Sequence, residues 1–274
     1  MYERFFSLRE KPFTITSNPS FLFLSRRHQE ALSYLLYGIK ERIGFIEITG
    51  EVGTGKTTLC RALLNRLDDK TRSAFIFNSN MTGSQLMQTI LEDLGIPLPT
   101  KGRSGGALFS ALNRFLIQQL SLDNNVVLII DEAQNLSSKM LEQIRMLSNL
   151  EAENQKLIQI VLVGQPELRE KLNAPSLRQL RQRIAIRCHI EALTKEELSL
   201  YIEHRLRLAG ANGNGPSFES DALEEIFRYT AGIPRLINIV CDRAMLTGYV
   251  TERRSIGRDI IQQSIEEIEG GVKK

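Results

Sequence analysis

Apolar residues recur along this chain in two rhythms, and the change from one to the other divides it. Short runs rich in branched and aromatic apolar residues lie at 45–49, 74–78, 126–130, 157–163 and 184–190, that at 126–130 without a polar residue. Runs without polar alternation are what strands buried on both faces require. Between them, apolar positions three and four apart predict helices near 57–67, 84–94, 107–120, 137–150 and 166–172. Strands and helices in alternation predict an α/β fold, a parallel five-stranded sheet with helices on both faces. Ahead of it, Phe5, Phe6, Phe13, Phe21 and Phe23 stud an arm interrupted by Pro12 and Pro19, and a helix follows at 28–41. A polar Gly- and Pro-containing stretch at 95–106 predicts a mobile loop.

After Ile190 no strand pattern remains. Thr194-Lys195-Glu196-Glu197 has the spacing of a capping box and opens a helix to about Ala209. Past a Gly/Asn linker at 210–216, helices are predicted at 220–230, 234–247 and 258–268, with Gly232 before Pro234 marking a stop and a restart. The pattern thus gives two domains: residues 1–192, the arm plus the sheet, and residues 193–274, small and all-helical.

The chemistry concentrates at strand ends. Gly50-Glu51-Val52-Gly53-Thr54-Gly55-Lys56-Thr57 follows the first strand and opens the next helix, a complete G-x-x-x-x-G-K-[ST] phosphate-binding loop. Its glycines let successive N–H groups turn inward toward phosphates, and the helix start adds positive dipole. Lys56 is placed to reach β- and γ-phosphates and the Thr57 hydroxyl to ligate Mg²⁺; Thr58 continues the helix. The third strand ends in Asp131 and Glu132. A carboxylate emerging there can bind Mg²⁺, and Glu132 beside it is positioned to polarise an attacking water. At the end of the next strand, Gln165 either holds that water, senses a γ-phosphate, or simply caps the helix that begins at Pro166. Before the fifth strand stand Arg178, Arg181 and Arg183, with Arg187 inside it. Arg183, then Arg181, is placed to be donated to a neighbouring subunit's nucleotide. A solvated basic face or a DNA contact is the alternative. Arg235, in Gly232-Ile233-Pro234-Arg235, opens a helix of the second domain and could fold back on the nucleotide.

Composition narrows the partners little. The 274 residues carry a net charge of +3, too small to argue for nucleic acid. Cys60, Cys188 and Cys241 are far apart and set in apolar runs, as reduced, buried thiols are. His28, His189 and His204 have no metal-ligand spacing, so no metal beyond nucleotide-bound Mg²⁺ is expected. The charged N-terminus does not resemble a signal peptide, and no apolar run approaches the roughly 18 residues that span a bilayer. The chain is expected in the cytoplasm, held at the inner membrane only through a partner.

Taken together, the phosphate loop, Asp131-Glu132-Ala133-Gln134, Gly164-Gln165-Pro166-Glu167-Leu168 and Gly232-Ile233-Pro234-Arg235 resemble the AAA+ ATPases. Phe6…Pro12-Phe13 and Phe21-Leu22…His28-Gln29-Glu30-Ala31-Leu32 add a likeness to the general secretion pathway protein A (ExeA) type, a group that includes the standalone ATPase of mannose-sensitive pilus biogenesis. The resemblance implies ATP as nucleotide and Mg²⁺ with it, a helical lid at the C-terminus, Gln165 as first sensor, Arg183 as arginine finger and Arg235 as second sensor. It also implies that the arm around Phe13, Pro19 and Phe21 lies near the adenine. It further implies a homo-oligomer, ring or filament, working with protein components of a secretin, pilus or polysaccharide export apparatus. Gln165 departs from the usual Asn, Thr or Ser of a first sensor. Larger secretion relatives continue into a membrane span and a cell-wall-binding region, so this chain is expected to be a standalone member or an ATPase module. A DNA-associated regulator of the transposition type is the competing reading, with Arg253 and Arg254 as further phosphate contacts. A small-molecule kinase would leave Glu132, the arginines and the helical domain without roles.

Overall fold

The computed structural model describes residues 1–15, 19–77, 81–99, 105–152, 155–212 and 215–270. Residue 78 of the expected second strand, 100–104 of the expected mobile loop and 213–214 of the linker lie outside them. The backbone falls into two compact units, Arg26–Val52 with Leu59–Ile190, and Met1–Ser25 with Gly53–Thr58 and Glu191–Lys274.

The first of these holds the sheet. Its strands are β1 (Phe45–Gly50), β2 (Thr71–Ile76), β3 (Asn125–Ile130), β6 (Gln159–Gly164) and β7 (Ile184–Ile190), all parallel and ordered β2-β3-β6-β1-β7. A two-residue antiparallel pair, β4 (Glu151–Ala152) and β5 (Gln155–Lys156), precedes β6. Every residue of β1 and β6 is buried, Glu47 and Thr49 of β1 included, and Ile160–Val163 of β6 is apolar without alternation. The edge strand β2 starts earlier than its apolar run, at Thr71, because Thr71, Arg72 and Ser73 are half-buried or exposed and carry no strand signal. Leu157 and Ile158, expected in the fourth strand, pack in the core just before it. Helices Gly83–Asp93, Gly105–Ser121, Ser138–Leu147 and Pro166–Leu172 cover the sheet, and Thr82 caps the first with a full capping box. One further helix, Arg178–Arg183, carries the arginines that the pattern left unassigned before the fifth strand.

The other unit has its own core. Helices Lys195–Leu208, Ser220–Thr230, Pro234–Val250 and Arg258–Ile268 gather around Ile226, Ile237, Val240, Ala244, Met245 and Ile261. The capping box at Thr194 is present, with Glu197 as the reciprocal partner. Contrary to the expectation of no strand, Ser217–Phe218 (β8) pairs in parallel with Ser255–Ile256 (β9), a bridge too short to leave a period-two signature. The arm assigned by pattern to the sheet domain belongs to this unit: Tyr2, Phe6, Leu8, Phe13 and Phe21 are buried in its core. The reason is apolar area, since burying each such side chain is worth about 1.5–3 kcal/mol. Arg9 N–H donates to Ala209 O at 2.8 Å and holds the arm to the end of helix Lys195–Leu208.

Candidate active site

The phosphate loop takes the backbone its glycines predict. Gly53 has φ of 84° and Gly55 of 98°, the left-handed region that costs a residue with Cβ about 1–2 kcal/mol. Thr54 and Lys56 are buried, and helix Lys56–Leu64 begins at the lysine. Gly53 lies against the turn of Gly232-Ile233-Pro234-Arg235. Arg235 N–H donates to Gly53 O at 3.2 Å, and a Cβ added at Gly53 would stand 2.6 Å from Arg235 Cβ and 3.2 Å from Ile233 Cγ2. That turn has its own constraint: Gly232, at φ of 76°, passes so close to the Leu193 carbonyl that no Cβ fits, and its own carbonyl accepts from Leu193 N–H at 2.9 Å. Pro234 then occupies the first turn of helix Pro234–Val250, where its missing N–H costs nothing. Arg235 and the loop are therefore brought together, through the Arg235 N–H and the close packing of its Cβ.

In the sheet unit, β3 delivers the two acids. Asp131 is buried, and its N–H extends the pairing to β2 by donating to Ile76 O at 2.9 Å. Glu132 then takes φ of 52°, a left-handed conformation uncommon for a glutamate, with its N–H on Asp131 Oδ1 at 2.9 Å. A short 3-10 turn, Ala133–Asn135, follows. The Glu132 carboxylate meets Gln165: Gln165 Nε2 donates to Glu132 Oε2 at 3.1 Å. Gln134 Nε2 donates to the same oxygen at 2.5 Å, and Gln134 Oε1 accepts from Gln165 N–H at 3.1 Å. Gln165 stands at the N-cap of helix Pro166–Leu172, but its side chain makes no capping bond.

The arginines are divided. Arg183 Nη1 donates to the buried Ser148 Oγ at 2.8 Å, at the end of helix Ser138–Leu147. Burial and the neighbouring Arg183 guanidinium hold the Lys156 ammonium below its ordinary pKa. Arg187 Nε pairs with Glu47 Oε2 at 3.2 Å, directly across the β1–β7 ladder, and Arg187 Nη2 donates to Arg181 O at 2.8 Å. Burial pushes the Glu47 carboxyl above the usual range, against the pull of Arg187. Arg181 reaches Asn173 Oδ1 at 3.4 Å, while Arg178 is exposed. Arg181, Arg187 and Arg169 line a cavity of about 420 Å³ over Glu47.

Phe13 is 1% exposed, its ring edge-on to Phe218 at 6.1 Å between centroids, and Phe21 lies under the Arg205 guanidinium at 4.9 Å. Both rings are structural anchors of the arm. Gln134, Lys171 and Ser148 were not singled out by residue chemistry. Gln134 follows the acids by two positions and could have been found there, whereas nothing local marks Lys171 or Ser148.

A family profile described as an AAA domain matches residues 39–172, from the end of helix Arg26–Lys40 through helix Pro166–Leu172. With the strand order and the loop above, this makes the chain a member of the AAA+ ATPases, and the fold is the P-loop AAA+ fold. Within that class it is of the general secretion pathway protein A type. It is 41% identical over 270 residues to General secretion pathway protein A of Aeromonas hydrophila, covering 98% of this chain and 49% of that protein. The chain thus spans about half the length of that relative. An ORC1-type DNA replication protein 1 of Sulfurisphaera tokodaii is 32% identical over 119 residues, 42% of this chain and 29% of its own. The crystal structure of Cdc6p from Pyrobaculum aerophilum has the same fold, with a TM-score of 0.71 at 21% identity over 92% of this chain and 71% of that one. Among the described residues, no helix is long and apolar enough to cross a membrane.

Proposed function

We propose that the chain binds ATP with Mg²⁺, hydrolyses it, and uses the turnover as a homo-oligomeric motor or switch in assembling a cell-envelope apparatus. The observation that carries the hydrolytic reading is Glu132. It is a carboxylate at the C-terminal end of a central parallel strand, where α/β sheets put their ligands, and Gln165 holds one of its oxygens. The residues also fit the ligands. Left-handed glycines at 53 and 55 shape the loop, and the Thr57 hydroxyl and the Asp131 carboxylate are the oxygen donors that Mg²⁺ prefers.

In this reading the N–H groups from Gly50 through Thr58 cradle the phosphates, and Lys56 carries the positive charge toward the β- and γ-oxygens. Bound Mg²⁺, held by Thr57 and Asp131, supplies charge neutralisation at those oxygens. Glu132 takes the proton from the attacking water, and Gln165 fixes the carboxylate that does so. Arg235, bonded through its N–H to Gly53, reports the state of the loop to the helical unit, which acts as a lid. Arg183 is offered to a neighbouring subunit's γ-phosphate, leaving the Ser148 hydroxyl when it does so. The assembly role rests on the similarity to general secretion pathway protein A. In this reading the protein works in the cytoplasm, drawn to the inner membrane by its partners.

Equilibrium binding and steady-state ATPase assays test this together. Lys56→Ala is expected to lose ATP binding; Glu132→Gln is expected to bind ATP while kcat falls by about 10²–10⁴-fold. Specific activity should rise with protein concentration, and Arg183→Ala should erase that rise without weakening binding. Wild-type ATP affinity in Lys56→Ala, or wild-type turnover in Glu132→Gln, would sink the reading. The similarity to an ORC1-type replication protein favours DNA as a second reading. Against it, Arg183 and Arg187 are bonded within the chain. Absence of binding to random duplex even at low salt would exclude it, since phosphate contacts are strongest there.

A further inference from the structure

Two glutamine amides meet on one oxygen of Glu132, and only one of them stands at a sensor position. We propose that Gln134 is a positioning residue that aims the Glu132 carboxylate, and that Lys171 holds Gln134 in place; this rests on Glu132 acting as the base.

The Gln134 amide is used at both ends. Its Nε2 donates to Glu132 Oε2 at 2.5 Å, and its Oε1 accepts from Gln165 N–H at 3.1 Å. Turning the amide over would set an oxygen against the carboxylate and an NH₂ against an N–H, so the two partners fix its orientation. Gln165 Nε2 adds a second donor to Glu132 Oε2 at 3.1 Å. One carboxylate oxygen therefore has two donors from different loops, which defines the plane of the carboxylate as a single bond would not.

The backbone beneath is held from the other side. Lys171 Nζ, on helix Pro166–Leu172, donates to Gln134 O and to Leu136 O, the latter at 2.9 Å. It clamps the turn Ala133–Asn135, which is what brings the Gln134 side chain back over β6. Glycine at 164 leaves that side chain its room: a Cβ there would come within 2.7 Å of Gln134 Oε1 and 2.9 Å of Leu168 Cδ2, so the Gln134 amide would have to shift. Glu132 itself sits at φ of 52°, held there by the turn. Its side-chain direction is then set by these bonds rather than by regular secondary structure.

A plain stitch between the β3 loop and helix Pro166–Leu172 would also use these contacts, and would act on folding alone. The test is a double-mutant cycle on ATP turnover with Gln134→Met, matched in length and without either amide function. In the wild-type background kcat is expected to fall about 10- to 100-fold, the effect of losing a hydrogen bond to a charged group. KM and equilibrium affinity for ATP should stay within about twofold, because binding does not use Gln134. In the Glu132→Gln background, Gln134→Met should change the residual rate by less than about twofold, since the group it aims is gone. If Gln134→Met unfolds, Lys171→Met is read in the same cycle, with a smaller loss and the same non-additivity expected. Wild-type kcat in Gln134→Met, or an equal fractional loss in both backgrounds, would overturn the inference while leaving Glu132 as the base. A Glu132→Gln variant with wild-type turnover would overturn the base assignment itself, and this inference with it.

Discussion

Replacing Arg205 with methionine is expected to loosen the N-terminal arm from the C-terminal helices. Arg205 is 6% exposed, and its partners are carbonyls, a phenol and rings. Its Nε donates to Pro12 O at 2.6 Å, Nη1 to Tyr201 Oη at 2.9 Å and Nη2 to Thr14 O at 3.4 Å. The guanidinium lies 4.9 Å from the Phe21 ring centroid and 5.6 Å from that of Tyr201. Tyr201 in turn donates to Asn238 Oδ1 at 2.8 Å, and Asn238 Nδ2 returns to Thr14 O at 3.4 Å. One side chain thus ties the arm at Pro12 and Thr14 to its own helix and, through Tyr201 and Asn238, to helix Pro234–Val250.

Methionine keeps the length and the apolar contact, so the loss is the polar part. Hydrogen bonds from a charged donor are worth about 1.5–3 kcal/mol each, and the two short ones dominate here. Stacking on the rings adds about 0.5–2 kcal/mol. Against this, the variant no longer buries a charge, which recovers several kcal/mol. The net expected destabilisation is about 2–4 kcal/mol, or roughly 5–15 °C in Tm for a chain of this size. Thermal unfolding followed by circular dichroism reads the magnitude, and amide exchange reads the place. The Arg9 N–H, bonded to Ala209 O, should lose protection ahead of the amides of β1 and β6. A Tm within about 2 °C of wild type, with arm amides still protected, would refute the reasoning.

Two further outcomes follow from the geometry. Gly53→Ala puts a Cβ at φ of 84° and 2.6 Å from Arg235 Cβ, so ATP affinity should fall at least about tenfold by titration; unchanged affinity would mean that the turn yields freely. Cys188 has its thiol pushed up to about 11 by burial, with Glu30 and Glu47 adding to the effect. Burial likewise raises the Cys241 thiol, above the usual range. Both are neutral thiols below their raised pKa values, so native protein at pH 8 should label slowly with a thiol reagent and Cys188 should speed up about tenfold per pH unit toward 11. Rapid labelling of Cys188 at pH 8 would contradict this.

What could be read from the sequence follows from how far each interaction reaches. The phosphate loop was legible because strand, glycines and helix start are neighbours, and their conformation is local. The sheet was legible because burial on both faces leaves consecutive apolar residues in β3 and β6, Val126–Ile130 and Ile160–Val163. Polarity at Thr71–Ser73 hid the start of β2, and two-residue bridges such as β8–β9 are too short for any period. Gln134 meets Gln165 across 31 residues, and Arg205 meets Pro12 across 193, separations that no local pattern encodes. Arg205 nevertheless left a trace. It takes a place in the stripe Leu198, Tyr201, Ile202, Arg205 and Leu206, where helical spacing calls for an apolar residue. A cation on a buried stripe needs acceptors, and the arm's carbonyls supply them.

Chain order and compact units disagree for physical reasons that differ between the arm and the loop. The arm and the segment Gly53–Thr58 both cluster with the C-terminal helices, although the intervening chain builds the sheet. For the arm, the cause is the apolar area of Tyr2, Phe6, Leu8, Phe13 and Phe21, together with the Arg205 clamp. For the loop it is close backbone approach: Gly53 O accepts from Arg235 N–H, and only glycine leaves room for Arg235 and Ile233 beside it. Gly232 is needed in turn because the turn that presents Arg235 presses on the Leu193 carbonyl. The loop at Gly50–Thr57 therefore has one wall made by residues about 180 positions later. Its glycine at 53 answers to two demands at once, a left-handed φ for the cradle and clearance for the helix start that abuts it. Either demand alone would select glycine. Both together make any change at Gly53 or in Gly232–Arg235 a change in the glycine loop and in the helical unit simultaneously.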